Sequence, residues 1–237
     1  MEVLKTGGEW QACLQLLEQI LARDISADVV LFSAAINACA MGSQWQGAAM
    51  ILHELRQHGL VPDEVMLNAA ISACEKSEQW QWALHLLASF SLLALLPTMI
   101  SFAAAASACE KAAQWQFAVL LLANAWEKAV DVDVILYNAA ISACAHDAMW
   151  QISLALLRDM EEMKIVPSAV TMNACITAAG GTQRALGLLD SFQRRALKSD
   201  VISYNAVIDQ CGQDWARALT LCCCLVHSTL RPTVITW

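Results

Sequence analysis

A tryptophan recurs every 35 residues along this chain, at Trp10, Trp45, Trp80, Trp115 and Trp150. A fixed period of that length marks a repeat architecture and restricts the fold more than any local propensity can. Cys39, Cys74, Cys109 and Cys144 keep the same spacing, as do Ala38, Ala73, Ala108 and Ala143. The segments INACAMGSQWQ, ISACEKSEQWQ, ASACEKAAQWQ and ISACAHDAMWQ are copies of one unit. Two later copies, starting at Ala169 and Val201, have 32 and 33 residues. Their missing residues fall before Thr182 and before Trp215, which predicts a shortened turn between two helices.

Within a copy the apolar spacing is helical. Phe32, Ile36 and Cys39 stand at i, i+4, i+7, and Trp45, Ala48, Leu52 and Leu55 follow at i, i+3, i+7, i+10. Gly42 and Ser43 break the two runs apart. Pro62, Pro97, Pro167 and Pro232 all fall one residue before the end of a copy, where proline stops a helix. The residue after that register is Asp28, Asp63, Thr98, Asp133, Ser168, Asp200 or Thr233, each a good helix N-cap. Each copy therefore reads as two antiparallel helices, and neither can bury its apolar stripe alone. Copies must stack, so the expected fold is all-α, an α-solenoid. The expected units are 29–63, 64–98, 99–133 and 134–168, then the shortened 169–200 and 201–233. Residues 1–28 supply a second helix only, and 234–237 begin a further copy, which reads as a slice of a longer array.

Composition agrees. Of 237 residues 58% are hydrophobic and 15% charged, below the roughly 25% charge of an average soluble domain. That excludes disorder. The balance of 14 Lys+Arg against 22 Asp+Glu, net −8, excludes a strongly basic nucleic-acid domain. Residues 79–109 carry no formal charge, a run long enough to span a bilayer. In register, however, that run is one second helix, a Pro-marked turn and the next first helix, so no membrane span is expected. Ten cysteines in a chain this long, with no secretory signal at its start, indicate a reducing compartment.

A 35-residue two-helix unit closing on Gly-x-x-Pro-Asp (Gly59 to Asp63), with openings Val-Ile-Leu-Tyr-Asn (Val134 to Asn138) and Val-Ile-Ser-Tyr-Asn (Val201 to Asn205), resembles the pentatricopeptide repeat family. The 34-residue tetratricopeptide repeat fits less well, because its first-helix Gly and Tyr are missing. The resemblance implies a modular reader of single-stranded RNA, one base per copy, working on organelle transcripts in a chloroplast or mitochondrion. It also implies roles by register. The second residues, Val30, Val65, Ile100, Ile135, Val170 and Ile202, would clamp bases between neighbouring copies. The fifth residues, Ser33, Asn68, Ala103, Asn138, Asn173 and Asn205, would read base edges with the closing residues Asp63, Thr98, Asp133, Ser168, Asp200 and Thr233. Translated by the family's rules, the target is approximately 5′-G-pyrimidine-(G or any)-C-U-pyrimidine-3′, with Ala103 a poor reader. Lys76 and Lys111 match the family's phosphate-contacting register, which Met41 and His146 occupy in other copies.

Simpler explanations exist for several of these residues. Capping accounts for the closing Asp, Ser and Thr, and inter-copy packing could account for the second-position Val and Ile. The Asn residues are harder to explain, since Asn is a poor helix former inside a first turn. The Trp and Cys rows read as core. Cys222, Cys223 and Cys224 are consecutive and point different ways, and no CxxC pair exists, so no metal is expected. His53 and His58 mimic a zincin box at i, i+5, which turns the second ring about 140° away. No Gly-rich phosphate loop, nucleophile–base pair or cofactor motif is visible, and neither catalysis nor a small-molecule ligand is expected. The competing function is a protein-binding α-solenoid scaffold without RNA affinity, consistent with the acidic balance.

Overall fold

The computed structural model describes residues 10–12, 15, 19, 29–194, 201–212 and 215–227. Among these are twelve α-helices with defined ends. They are α1 (Val29–Met41), α2 (Trp45–Gln57), α3 (Glu64–Lys76), α4 (Trp80–Leu92), α5 (Met99–Lys111), α6 (Trp115–Glu127), α7 (Val134–His146), α8 (Trp150–Glu162), α9 (Ala169–Ala178), α10 (Thr182–Arg194), α11 (Val201–Gln210) and α12 (Trp215–His227). The fold is all-α, of the α-solenoid class. The opening half-copy falls almost wholly outside the described residues, as do Asp200, Thr233 and the closing 234–237.

Each full-length copy runs as a 13-residue helix, a three-residue turn, a 13-residue helix and a six-residue link. Asp63 Oδ1 accepts from Met66 N at 2.8 Å, and Asp133 Oδ1 from Ile135 N and Leu136 N at 2.9 and 3.1 Å. Thr98 with Ser101, and Ser168 with Thr171, form reciprocal capping boxes in which a hydroxyl replaces the usual Glu or Gln. At the other end the chain leaves each of α1 to α8 through one left-handed residue. Ser43, Glu78, Ala113 and Ala148 do so after first helices; Gly59, Ala94, Ala129 and Lys164 after second helices. The following N–H reaches back five residues, as in Gln79 N to Cys74 O at 2.9 Å and Leu95 N to Phe90 O at 2.9 Å, the Schellman arrangement.

The chain divides into two compact units, 1–112 with 120–131, and 113–119 with 132–237. In the first, α1 and α3 each pack on their own second helix and on the first helix of the next copy, α1 on α3 and α3 on α5. First helices therefore bury two faces. In α3 these are filled by Met66, Leu67, Ala70, Ile71, Ala73 and Cys74, all buried, while α4 adds Ala83, Leu86, Leu87 and Phe90. Each of the larger side chains contributes about 1.5–3 kcal/mol. Trp10 lies directly over the first turn: a Cβ on Gly42 would stand 2.6 Å from the indole Cδ1. The second unit repeats the plan with α7 on α9 and α9 on α11, around Leu136, Tyr137, Ile141, Met172, Ile176 and Phe192.

The shortened copies correct one expectation. The turn of the fifth copy keeps three residues (179–181), and it is the first helix that shrinks, to 10 residues in both α9 and α11. Three residues are close to one helical turn of 3.6. Removing them leaves the exit on nearly the same side of the helix, whereas a turn with no residues could not reverse the chain.

Candidate nucleic-acid interface

The second-position residues stand in the first turn of each first helix, on the side facing away from the core. In the first unit Val30, Val65 and Ile100 are 72%, 59% and 66% exposed. In the second, Ile135, Val170 and Ile202 are 53%, 58% and 62% exposed. Inter-copy packing is therefore not what these β-branched residues do. Three residues on, and so adjacent on the same helix face, come the fifth positions Ser33, Asn68, Ala103, Asn138, Asn173 and Asn205, all half-buried. A strip of exposed aliphatic side chains beside half-buried fifth positions, polar except at Ala103, thus runs along each unit.

Some of the pairs expected from the sequence meet. Asn138 Nδ2 donates to Ser168 Oγ at 3.3 Å. Asn68 and Thr98 are bridged by Ser101 Oγ, at 2.6 Å from Asn68 Oδ1 and 3.3 Å from Thr98 Oγ1. Asn68 Nδ2 also approaches Glu64 Oε1 at 3.4 Å. The structure brings no hydrogen bond between Ser33 and Asp63, and Ala103 has no polar group to offer. The partners of Asn173 and Asn205, Asp200 and Thr233, lie outside the described residues. Capping by Asp63 and Asp133 falls on Oδ1 in each case, so the cap leaves Oδ2 unused.

Residues absent from the sequence expectations complete the site. Ser101, Thr171 and Ser203, the third residues of their copies, are buried to 0%, 0% and 1% exposure. Each donates its hydroxyl proton to the Asn oxygen of the preceding copy. Ser101 reaches Asn68 Oδ1 and Ser203 reaches Asn173 Oδ1, both at 2.6 Å, and Thr171 reaches Asn138 Oδ1. The signal was in the sequence as Ser or Thr at a fixed register among apolar neighbours.

The two lysines are engaged within the chain. Lys76 Nζ donates to Ala40 O at 2.9 Å, and Lys111 Nζ pairs with Glu75 Oε1 at 3.1 Å and touches Glu75 O at 3.4 Å. Each thus ties a first-helix C-terminus to that of the preceding copy, where a cation suits the helix dipole. The Trp row is half-buried rather than fully enclosed: Trp45 packs against Trp82, centroids 5.6 Å apart, and Arg184 covers Trp150 at 4.4 Å. Cys74, Cys109 and Cys175 are buried thiols pushed up to about 12 by desolvation, and Cys144 to about 11. They are inert core atoms. Among the described residues no group of three or more His, Cys, Asp or Glu could hold a metal, and no helix is long and apolar enough to cross a membrane.

Stacked helical hairpins with a polar seam between successive first helices define a helical-repeat protein. The pentatricopeptide repeat domain profile matches residues 15–77 and 120–182, more than half the chain, and the protein belongs to that family. No curated protein sequence matches the chain. Among solved structures it is similar to maize pentatricopeptide repeat protein PPR10, with TM-score 0.71 and 21% identity over 97% of this chain and 34% of that one. PPR10 in complex with an 18-nt psaJ RNA element gives TM-score 0.75 and 21% identity over 99% of this chain and 34% of that one. The PPR domain of Arabidopsis thaliana protein-only RNase P 1, in complex with tRNA, gives TM-score 0.61 and 13% identity over 70% of this chain and 87% of that domain. These likenesses are of fold, and the chain spans 34% of the length of PPR10.

Proposed function

We propose that the protein binds single-stranded RNA without catalysis, one base per copy, in organelle RNA processing, stability or translation. The observation that carries this reading is the periodic exposure of six β-branched residues, each beside a half-buried fifth position. An aliphatic face held out to solvent beside an amide suits a base, which has an apolar face and a polar edge. Family membership and the RNA complexes of the fold relatives support it. Ser33 with Asp63, Asn68 with Thr98, Asn138 with Ser168, Asn173 with Asp200 and Asn205 with Thr233 read the edges, and Ala103 with Asp133 reads weakly. The RNA is approximately 5′-G-pyrimidine-(G or any)-C-U-pyrimidine-3′.

A salt titration of binding to that hexamer beside a base-shuffled control tests the proposal. The expected result is preference for the hexamer, abolished in Asn138→Ala with Asn173→Ala. Equal binding of both RNAs, or a double variant as selective as the parent, refutes it. The second reading, a protein-binding scaffold, is favoured by the engagement of Lys76 and Lys111 within the chain and by the net charge of −8. It predicts no RNA binding at any salt.

A further inference from the structure

We propose that the buried hydroxyls of Ser101, Thr171 and Ser203 are positioning residues that determine specificity. Each locks the Asn amide of the preceding copy with Oδ1 inward, so that Nδ2 is the group the amide turns toward a base. The proposal rests on the RNA reading above.

The distances assign the amide. O–H···O bonds fall at about 2.5–3.0 Å and N–H···O bonds at about 2.7–3.2 Å. The 2.6 Å contacts of Ser101 to Asn68 Oδ1 and of Ser203 to Asn173 Oδ1 fall in the first range, as an Asn oxygen facing each hydroxyl requires. The local network agrees. A backbone N–H can only donate, and Thr98 N donates to Ser101 Oγ at 3.1 Å, as Ser168 N does to Thr171 Oγ1 at 3.0 Å. With an acceptor site of the hydroxyl thus filled, its single proton goes along its shortest contact, to Asn. In the fourth copy the outcome is visible from the other side, where Asn138 Nδ2 donates one proton to Ser168 Oγ. An NH2 group has two.

The sequence carries the same dependence. The copies with Asn at the fifth register are followed by a hydroxyl at the third register of the next: Asn68 by Ser101, Asn138 by Thr171, Asn173 by Ser203 and Asn205 by Thr236. The two without Asn are followed by apolar residues, Ser33 by Met66 and Ala103 by Leu136, both of which are buried. A hydroxyl retained only for helix capping would have no reason to track the fifth residue of the copy before it. An unlocked amide presents either its oxygen or its nitrogen to the groove and accepts any base edge, whereas a locked one favours bases that set an acceptor opposite Nδ2 over those that set a donor there.

The test compares Thr171→Val, which keeps shape and loses the hydroxyl, with Thr171→Ser, which keeps it. Four RNAs differing only at the nucleotide facing the Asn138 copy are titrated against each. The wild type is expected to separate its best and worst base by about tenfold, as one good base-edge contact does. In Thr171→Val that ratio collapses toward unity, while the ratio at the neighbouring nucleotide, read through Asn173 and Ser203, is retained. Thr171→Ser keeps both. Equal weakening of all four RNAs by Thr171→Val, or an unchanged ratio, would overturn the proposal, the first because it marks a merely structural role. Side-chain amide exchange of Asn138 by NMR needs no RNA and separates the two levels. Should the wild type show no base preference at all, the RNA reading and the specificity claim fall together. Exchange unaltered by Thr171→Val overturns the lock itself, whatever the RNA result.

Discussion

Ala94 and Ala129 occupy the register where the first copy has Gly59, and all three are left-handed, with φ of +54°, +51° and +71°. For an L-residue that conformation costs roughly 1–2 kcal/mol through the clash of Cβ with the following carbonyl. Both alanines are exposed, so deleting the methyl removes no packing. Against the relief stands the greater freedom of glycine in the unfolded chain, about 0.4–1 kcal/mol. The balance is a net gain of about 0.5–1 kcal/mol per site, and twice that for Ala94→Gly with Ala129→Gly. Ala88 supplies the control: it too is exposed but lies inside α4, where glycine costs about 1 kcal/mol. Six residues apart, the same substitution should change sign. Urea denaturation of the whole chain measures it, with the midpoint moving and the slope constant. A loss of stability in Ala94→Gly, or a shared sign for Ala88→Gly and Ala94→Gly, would show that the turn is not set by the left-handed residue.

Two further outcomes follow from charge and burial. If Lys76 and Lys111 bridge copies and also meet phosphate, they are the whole electrostatic complement expected of this register. The slope of log K against log salt should then be no steeper than about −1.4 for two contacts on a single strand, and Lys111→Ala should shift it by about half while freeing Glu75. A slope several times steeper would mean that cations elsewhere carry the binding. The buried thiols of Cys74, Cys109 and Cys175, held near 12 against an ordinary 9, make the folded chain bind more protons than the unfolded chain above pH 9. Stability should hold below pH 9 and fall between pH 9 and 12, by up to about 1.4 kcal/mol per thiol per pH unit. Unfolding midpoints at pH 8 and pH 10 that coincide would contradict that placement of the thiols.

The fold was legible because its core repeats. Ala73, Ala108 and Ala143, with Cys74, Cys109 and Cys144, are buried at one register, and spacing alone exposes such a pattern. What spacing cannot say is which flank of a gap gave up its residues, so the shortened copies looked like short turns when α9 and α11 had lost a helical turn. The site was legible by register but not by chemistry. Val30 and its equivalents could have been packing, and only their exposure argues against that. Asn68 and Asn138 looked like side chains waiting for a ligand, yet their oxygens are bonded to the next copy. Serine inside a helix carries little signal by itself, and the partners of Ser101 and Ser203 lie 33 and 30 residues upstream, at Asn68 and Asn173. If the RNA reading holds, a copy is the unit of sequence but not of recognition. Under the proposed function, the amide of one copy, and the cap and buried hydroxyl of the next, would make up one reader. Transplanting a single copy should therefore carry its fold to a new neighbour but its base preference only when the third residue of the following copy goes with it.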